Sequence, residues 1–497
     1  MSILSFEFIF FALIVLIAYY LLPLKARWVV LLLASAVFMA FSGWQSIAHL
    51  TVIALISWGG SLLLSRLQKG RRILLALLLV LDLGVMGLIK YQPAVAALVN
   101  RIAAKETPVL SAWNLAAPLG LSYFTFQTAG YLIDVYRRKA DAQKNPLKVW
   151  LFAGYFPQLA QGPISTWKEL NEPLFRGNPL NPECFASGFL ILLWGYFKKL
   201  VIADRLASTT TALLEGENLS GWFVLGGVIL YTLRLYADFS GGMDVVRGYS
   251  RMLGIDLPLN FKRPFFSQSV AEYWRRWHIT LGAWFRSYLL YPLSTCKLGL
   301  ALGKHAGKVL GKKSGRMLPT ALATLIVFLL IGVWHTANWN AVVYGAYFGL
   351  LMAVSMLLDP VWKRLRKHLP KGGWMHALRL MRTWLCVLIA QYFAFTSNPD
   401  QGFSLLRQSF ANWQFHNCFT HLTDVMEPIE WAIAGLALVL LLIVDILEEK
   451  KGDLSEKLAQ KPFALRCGIM LILLVLVLIF GIYGSTFDST AFLYTQF

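Results

Sequence analysis

Stretch after stretch of this chain is apolar enough to form at least the core of a membrane span. Phe6 to Leu22, Trp28 to Phe41, Ile47 to Leu64, Ile73 to Ile89, Ser187 to Val201, Trp222 to Leu235, Pro319 to Val333, Ala341 to Leu358, Trp384 to Phe395, Ile429 to Ile446 and Cys467 to Ile482 all read this way. About 20 mainly apolar residues cross as a helix, because each backbone amide is then hydrogen-bonded inside the segment. Only 14% of the 497 residues are charged and 57% are hydrophobic, far from the roughly 25% charge of a soluble domain. The chain is expected to be an all-α polytopic membrane protein.

The formal net charge of +20 would suggest nucleic acid in a soluble protein. Here the Lys and Arg residues fall in short clusters between apolar runs, which is a topology signal and argues against a nucleic-acid partner. No basic residue precedes the first run, whereas Lys25 and Arg27 follow it and "RLQKGRR" follows the third. The amino terminus is therefore expected outside, with the first run a retained span and not a signal peptide. "KLGLALGKHAGKVLGKKSGR", Lys297 to Arg316, is basic, contains no acid and fits no phosphate-loop pattern; it is expected to be a cytoplasmic loop. The five cysteines are scattered without a CxxC, so neither a disulfide framework nor a zinc site is indicated.

Residues 1 to 90 read as plain scaffold spans. Beyond Ala116 polar residues enter the apolar pattern: Gln127 and Asp134 in "LSYFTFQTAGYLIDVYRR", then two prolines and two glutamines in "YFPQLAQGPISTWKEL", which predicts a broken helix. Lys198 and Lys199 in "LLWGYFKKLVIADRL" are expected to snorkel to an interface. The segment Leu235 to Leu293 carries Asp238, Asp244, Arg247 and Arg251, which implies a polar cavity or its rim. From Val270 its pattern is helical, with Trp274, His278, Leu281 and Phe285 on one face and Glu272 able to pair with Arg275 or Arg276. So charged a helix is expected to be re-entrant or interfacial.

For chemistry, "HNCFTH" (His416, Cys418, His421) has no defensible metal-ligand spacing, and no GxSxG elbow occurs. His278 and His335 remain. No charged residue lies between Arg316 and Asp359, so the His335 imidazole in "IGVWHTANWN" sits in an apolar surround, where a polar group is costly and commonly functional. A neutral imidazole takes a proton from a hydroxyl and later returns it, which suits a hydroxyl attacking a thioester.

The stretches "YADFSGGMDVVRGYSRMLGIDLPLNFKRPFFSQSVAEYWRRWHITLGAWFRSYLLYPL" and "GVWHTANWNAVVYGAYFGLLMA" closely resemble the bacterial branch of the membrane-bound O-acyltransferases (MBOAT). The resemblance extends to "YFTFQTAGYLIDVYRR", "YFPQLAQGPI", "GYFKKLVIADRLA", "LSFEFIFF" and the closing "FLYTQF", and is strongest to the alginate O-acetyltransferase type, together with the peptidoglycan and cellulose acetylation proteins built like it. It implies a single membrane domain over 1–497, with N-terminal spans in 1–110, a motif-bearing core in 111–358 and C-terminal spans in 359–497. It further implies roughly 11–13 spanning or re-entrant helices around a central funnel or channel.

By the same resemblance, His335 of "GVWHTA" matches the catalytic histidine and His278 of "RRWHIT" the second histidine. Asp238, Ser240, Asn260, Trp274, Arg275, Arg276, Trp277 and Trp334 align with motif positions expected to line the substrate channel or position the donor. Thr336 stands where the family usually has Gly, and "STCKLG" replaces a common Gly-Gly-Asn-Arg.

The implied activity is transfer of acetyl from cytoplasmic acetyl-CoA, without a metal, towards hydroxyls of an exported or cell-wall polysaccharide. An extracytoplasmic esterase-like partner would receive it, and the setting is a bacterial inner or plasma membrane, in contact with its lipids. D-alanyl transfer to teichoic acid from a carrier protein is the near alternative. A transporter or lipid flippase is a remote one, and it predicts inverted repeats that the sequence does not show.

Overall fold

The computed structural model describes residues 1–103, 118–215, 221–309, 311–336, 338–365, 367–368, 370, 372–411, 413 and 418–483. The closing "FLYTQF" and His416 lie outside them. Every regular element among the described residues is a helix. Eight of these are long and apolar enough to cross a membrane, and the apolar Phe6–Leu21 helix is shorter. Large aliphatic side chains stand exposed along them, such as Leu436, Leu471 and Ile479, as a lipid-facing surface requires.

The chain forms two compact units. One comprises residues 1–196, 242–258 and 453–475, the other 197–241, 259–452 and 476–497.

In the first unit, tyrosine hydroxyls staple residues 242–258 to the amino-terminal helix. Tyr249 donates to the Ala12 carbonyl (2.8 Å) and Tyr20 to the Met252 carbonyl (2.6 Å). Gly188 and Gly248 let two backbones meet, since a Cβ on Gly248 would collide with the Leu192 amide. The stretch at Tyr155 is broken, as its prolines predict: the Phe156–Gln161 helix ends at Gly162, where a Cβ would strike Gln158. The freed polar groups are satisfied internally. Gln158 donates to the Pro163 carbonyl and to Ser165 Oγ, both at 2.7 Å. The reading of residues 1 to 90 as plain scaffold missed Asp82, which is buried within the Arg71–Ala103 helix and accepts from Thr128 Oγ1 at 2.8 Å.

In the second unit, the Gly311–His335 and Trp339–Leu357 helices form an antiparallel hairpin. Asn338 caps the second helix, its side chain accepting from the Ala341 amide at 2.9 Å. Gly332, Gly345 and Gly349 let the backbones approach: a Cβ on Gly332 would collide with the Ala341 carbonyl oxygen, and one on Gly345 would stand 2.5 Å from that of Phe328.

Three expectations are corrected here. Lys297 to Arg316 is not a loop: Lys297–Val309 is helical, and Gly303 packs against Pro319 in the following helix. The helix from Val270 is instead broken at Trp277 and His278: Val270–Arg276 ends there, and Ile279–Phe285 begins a second run that continues through a π-helical turn at Arg286–Leu290 into Tyr291–Thr295. Lys198 and Lys199 do not snorkel. Both are buried, in a π-helical turn at Phe197–Ala203. Lys199 Nζ lies 2.7 Å from Asp204 and 2.6 Å from Asp238, and Lys198 donates to Ser240 Oγ at 2.9 Å. An ammonium with a carboxylate on each side is held by charge-assisted bonds, which offsets the cost of keeping it from water.

Candidate active site

The break at His278 begins with backbone demand. The first amides of the Ile279–Phe285 helix need acceptors, and His278 stands at its start in the left-handed region (φ 46°, ψ 53°). Asn260 supplies them. Its carbonyl accepts from the Ile279 amide (2.9 Å), and its side-chain oxygen accepts from the Thr280 amide (3.0 Å) and hydroxyl (2.9 Å). His278 Nδ1 lies 3.2 Å from that same oxygen. The Thr280 amide fixes the atom as oxygen, so Nδ1 carries the proton of the neutral ring and Nε2 is the acceptor nitrogen. Burial, and then the neighbouring His335, hold the His278 imidazole well below its ordinary pKa, so the neutral ring prevails.

His335 ends the Gly311–His335 helix. Its ring centroid lies 4.6 Å from that of Trp334, which lies 6.4 Å from that of His278. Both histidines line one cavity of about 280 Å³. Trp274, Trp277, Tyr344 and Phe395 give it aromatic walls, and Thr336, Asn340 and Gln391 add polar ones. No Asp, Glu, Lys or Arg is among its lining residues. Two imidazoles and the Tyr344 phenol are thus the ionisable groups that the described lining offers to whatever enters.

Of the positions singled out from sequence, His335, His278, Trp274 and Trp277 meet at this cavity. Asn260 stands behind His278, and Trp334 is buried beside both histidine rings. Asp238 and Ser240 point to Lys199 and Lys198 instead. Arg276 is held by Glu272 (2.7 Å) and Glu449 (3.0 Å), forming the i,i+4 pair expected from spacing. Arg275 is exposed and does not line the cavity.

Sequence reasoning missed Asn340, Tyr344 and the wall from Gln391 to Ser397. Gln391 was the visible signal, a lone amide within the Trp384 to Phe395 run that reads as an ordinary span.

A multi-pass helical membrane protein with two histidines on one uncharged cavity has the groups that acid–base chemistry on a neutral molecule requires. The comparisons make that class specific. Residues 110–306 match the model of MBOAT, the membrane-bound O-acyltransferase family, a span that includes His278 and stops short of His335. The chain is 31% identical over 412 residues to the "Probable alginate O-acetylase AlgI" of Azotobacter vinelandii, covering 80% of this chain and 75% of that one. The protein of the same name from Pseudomonas aeruginosa is 32% identical over 408 residues, 80% of this chain and 72% of that one. The peptidoglycan O-acetyltransferase of Helicobacter pylori is 28% identical over 374 residues, 69% and 66% respectively. The chain belongs to the membrane-bound O-acyltransferase family and is an O-acyltransferase.

Proposed function

We propose that this enzyme moves acetyl from a cytoplasmic thioester, acetyl-CoA, towards hydroxyls of an exported or cell-wall polysaccharide, through an extracytoplasmic esterase-like partner. The bacterial plasma membrane, with the amino terminus outside, is the setting this reading requires. The observation that carries it is the pair His335 and His278 on one cavity without an ionised neighbour in its lining.

In the reaction His335 acts as base. The acceptor oxygen bonds to the acyl carbon as its proton passes to the imidazole; the tetrahedral intermediate then breaks its C–S bond, and the proton returns to the departing thiolate. His278 orients the reacting groups through Nε2. The cavity walls hold donor and acceptor together, and the scheme uses no metal.

The relatives include both O-acetylating proteins and teichoic acid D-alanyltransferases, and the described lining of the cavity supports acetyl on physical grounds. A D-alanyl group brings an ammonium, and no carboxylate lines the cavity to receive it. The test is ester-linked acetate on envelope or secreted polysaccharide in a deletion strain complemented with wild type or His335→Ala at matched expression. Restoration by wild type alone supports the reading. Equal restoration by both overturns the role of His335, and acetate unaffected by deletion, with altered D-alanine esters, replaces the acyl group.

A further inference from the structure

The start of the Gly311–His335 helix and the Lys297–Val309 helix before it carry cations that nothing in the fold neutralises. Lys304, Lys308, Lys312, Lys313 and Arg316 are exposed, and none has a carboxylate partner among the described residues. The sequence supplies none nearby. No Asp or Glu occurs between Glu272 and Asp359, and Asp359 is taken by Lys363 at 2.6 Å.

Packing gathers these charges at one end of the helix pair. A Cβ on Gly303 would stand 3.1 Å from Pro319 Cγ, and one on Gly315 would strike the Gly307 backbone. The two helices are therefore antiparallel, and Lys304 and Lys308 lie alongside the turns that bear Lys312 and Arg316. With its glycines turned inward, the first helix presents Leu298, Leu302 and Val309 on a separate stripe, at i, i+4 and i+11. Leu298 is 80% exposed and Val309 82%. From the cationic end, Leu302 and then Leu298 lead away along the helix.

The neighbouring helix end has the composition of a membrane surface. Ser314 Oγ donates to the Leu357 carbonyl at 3.2 Å, so the Trp339–Leu357 helix finishes where the Gly311–His335 helix starts. The next helix, Asp359–Leu365, exposes Val361 and Trp362 beside Lys363 and Arg364. Tryptophan and aliphatic side chains next to Lys and Arg mark the boundary between lipid and water.

We infer that this end of the helix pair binds an anionic phosphoglyceride, with its phosphate among Lys304, Lys308, Lys312 and Arg316 and its acyl chains along Leu302 and Leu298. The two halves of such a lipid match the two surfaces: an anion for cations without partners, and a hydrocarbon tail for exposed leucines. A small soluble phosphate would leave Leu298 and Val309 in contact with water. An acidic protein would have to cover aliphatic side chains and Trp362, which a bilayer covers at no further cost. The lipid would hold the first turns of the helix whose last residue is His335, whichever acyl group that histidine serves.

The test titrates full-length protein in neutral detergent with phosphatidylglycerol and with phosphatidylcholine of the same acyl chains, read by native mass spectrometry. Wild type is expected to hold phosphatidylglycerol about tenfold more tightly. The variant combining Lys304→Gln, Lys308→Gln, Lys312→Gln and Lys313→Gln should lose that preference, and the one combining Lys304→Arg, Lys308→Arg, Lys312→Arg and Lys313→Arg should keep it. A control removes the same charge at four other exposed lysines, Lys69→Gln, Lys139→Gln, Lys144→Gln and Lys168→Gln, and should match wild type. Melting temperatures without lipid establish that the variants are folded, and Lys308→Gln with Lys312→Gln reads the same preference if either quadruple variant is not. Equal loss in the hairpin variant and the control overturns the site and leaves general charge attraction. Displacement of the lipid by sn-glycerol 3-phosphate overturns the lipid in favour of free phosphate. A retained preference in the hairpin variant also overturns it, and loss of binding to an acidic acyl carrier protein in that same variant would name a protein as the occupant. Leu298→Gln with Leu302→Gln keeps the cations and should weaken phosphatidylglycerol binding, and an unchanged Kd there overturns the placement of the acyl chains.

Discussion

Asn260 holds His278 in one tautomer: a single amide oxygen receives the Thr280 amide at 3.0 Å and stands 3.2 Å from imidazole Nδ1. The bond that starts the Ile279–Phe285 helix thus also fixes which nitrogen of His278 accepts in the cavity. Folding and chemistry share an atom. Asn260→Leu is expected to lower the acetylation rate 10- to 100-fold, the usual scale for loss of a group that orients a functional histidine. A rate within twofold of wild type would remove Asn260 from that role.

The pH dependence follows from the same contact. The folded His278 pKa lies below its ordinary value, so the folded state binds fewer protons than the unfolded chain. Its contribution to stability is complete above about pH 6.5 and is lost as pH falls through the lower folded value. Activity that needs the neutral ring should fall on the same acid side. Asn260→Asp places a carboxylate against Nδ1 and stabilises the imidazolium, so the acid limb should move to higher pH. A pH–rate profile of the two proteins checks this, and an unmoved limb would assign it to His335.

Much of this site was legible in the sequence. A histidine inside an uncharged stretch, and a second after two arginines, stand out because burying a polar side chain at membrane depth is costly. What was illegible was direction. Periodicity placed Trp274, His278 and Phe285 on one helical face, but the chain breaks at His278 because Asn260, 18 residues earlier, supplies the acceptors for a new helix start. Lys198 and Lys199 looked interfacial because their partners Asp204, Asp238 and Ser240 are brought to them by the fold. Asn340 and Gln391 were silent for a similar reason: an amide in an apolar run is costly, but the run does not say which wall it will join.

The adjacent arginines of "YWRRWH" should behave differently. Arg275 is exposed, whereas Arg276 joins Glu272 and Glu449, and Glu449 also accepts from Arg263 at 2.8 Å. This cluster ties the Val270–Arg276 helix to the Pro428–Lys451 span. Arg275→Gln is expected to leave acetylation and melting temperature as in wild type. Arg276→Gln should cost about 1 kcal/mol, since its pairs are partly solvated. Thermal unfolding in detergent measures the difference, and a larger effect from Arg275 would place that residue on a substrate path.

Lys199 is a case where removing one partner should do more harm than removing all three. Lys199→Met takes from the buried Asp204 and Asp238 the cation they both touch, leaving only the more distant charge of Arg234, and breaking such a pair costs about 3–5 kcal/mol. The expected outcome is little folded protein in the membrane. Lys199→Met combined with Asp204→Asn and Asp238→Asn removes the uncompensated charge and should recover much of the yield. Fluorescence-detected size exclusion of the solubilised protein gives both numbers, and equal yields for the single and triple variants would show that the lysine is not paired as described.

Gly332 sits one helical turn before His335, at the closest approach of the two hairpin helices. A methyl group there meets a backbone carbonyl, that of Ala341, which cannot swing aside as a flexible side chain would. The helices must therefore separate locally or rotate, and either movement carries His335 with it, because the histidine is rigidly coupled through less than one more turn of helix. Small displacements of a proton-transferring group are expensive, on the order of 10²-fold in rate for 1 Å. Gly332→Ala is accordingly expected to insert and fold while losing most of its acetylation activity. Gly435, in the Pro428–Lys451 span, is the matched control, since a Cβ there meets nothing within 4 Å and Gly435→Ala should be silent. Acetate release from polysaccharide, normalised to folded protein, compares them directly. Full activity in Gly332→Ala would mean that the hairpin relaxes without moving the proposed base, and that the position of His335 is set from its other side, at Trp334 and the cavity wall.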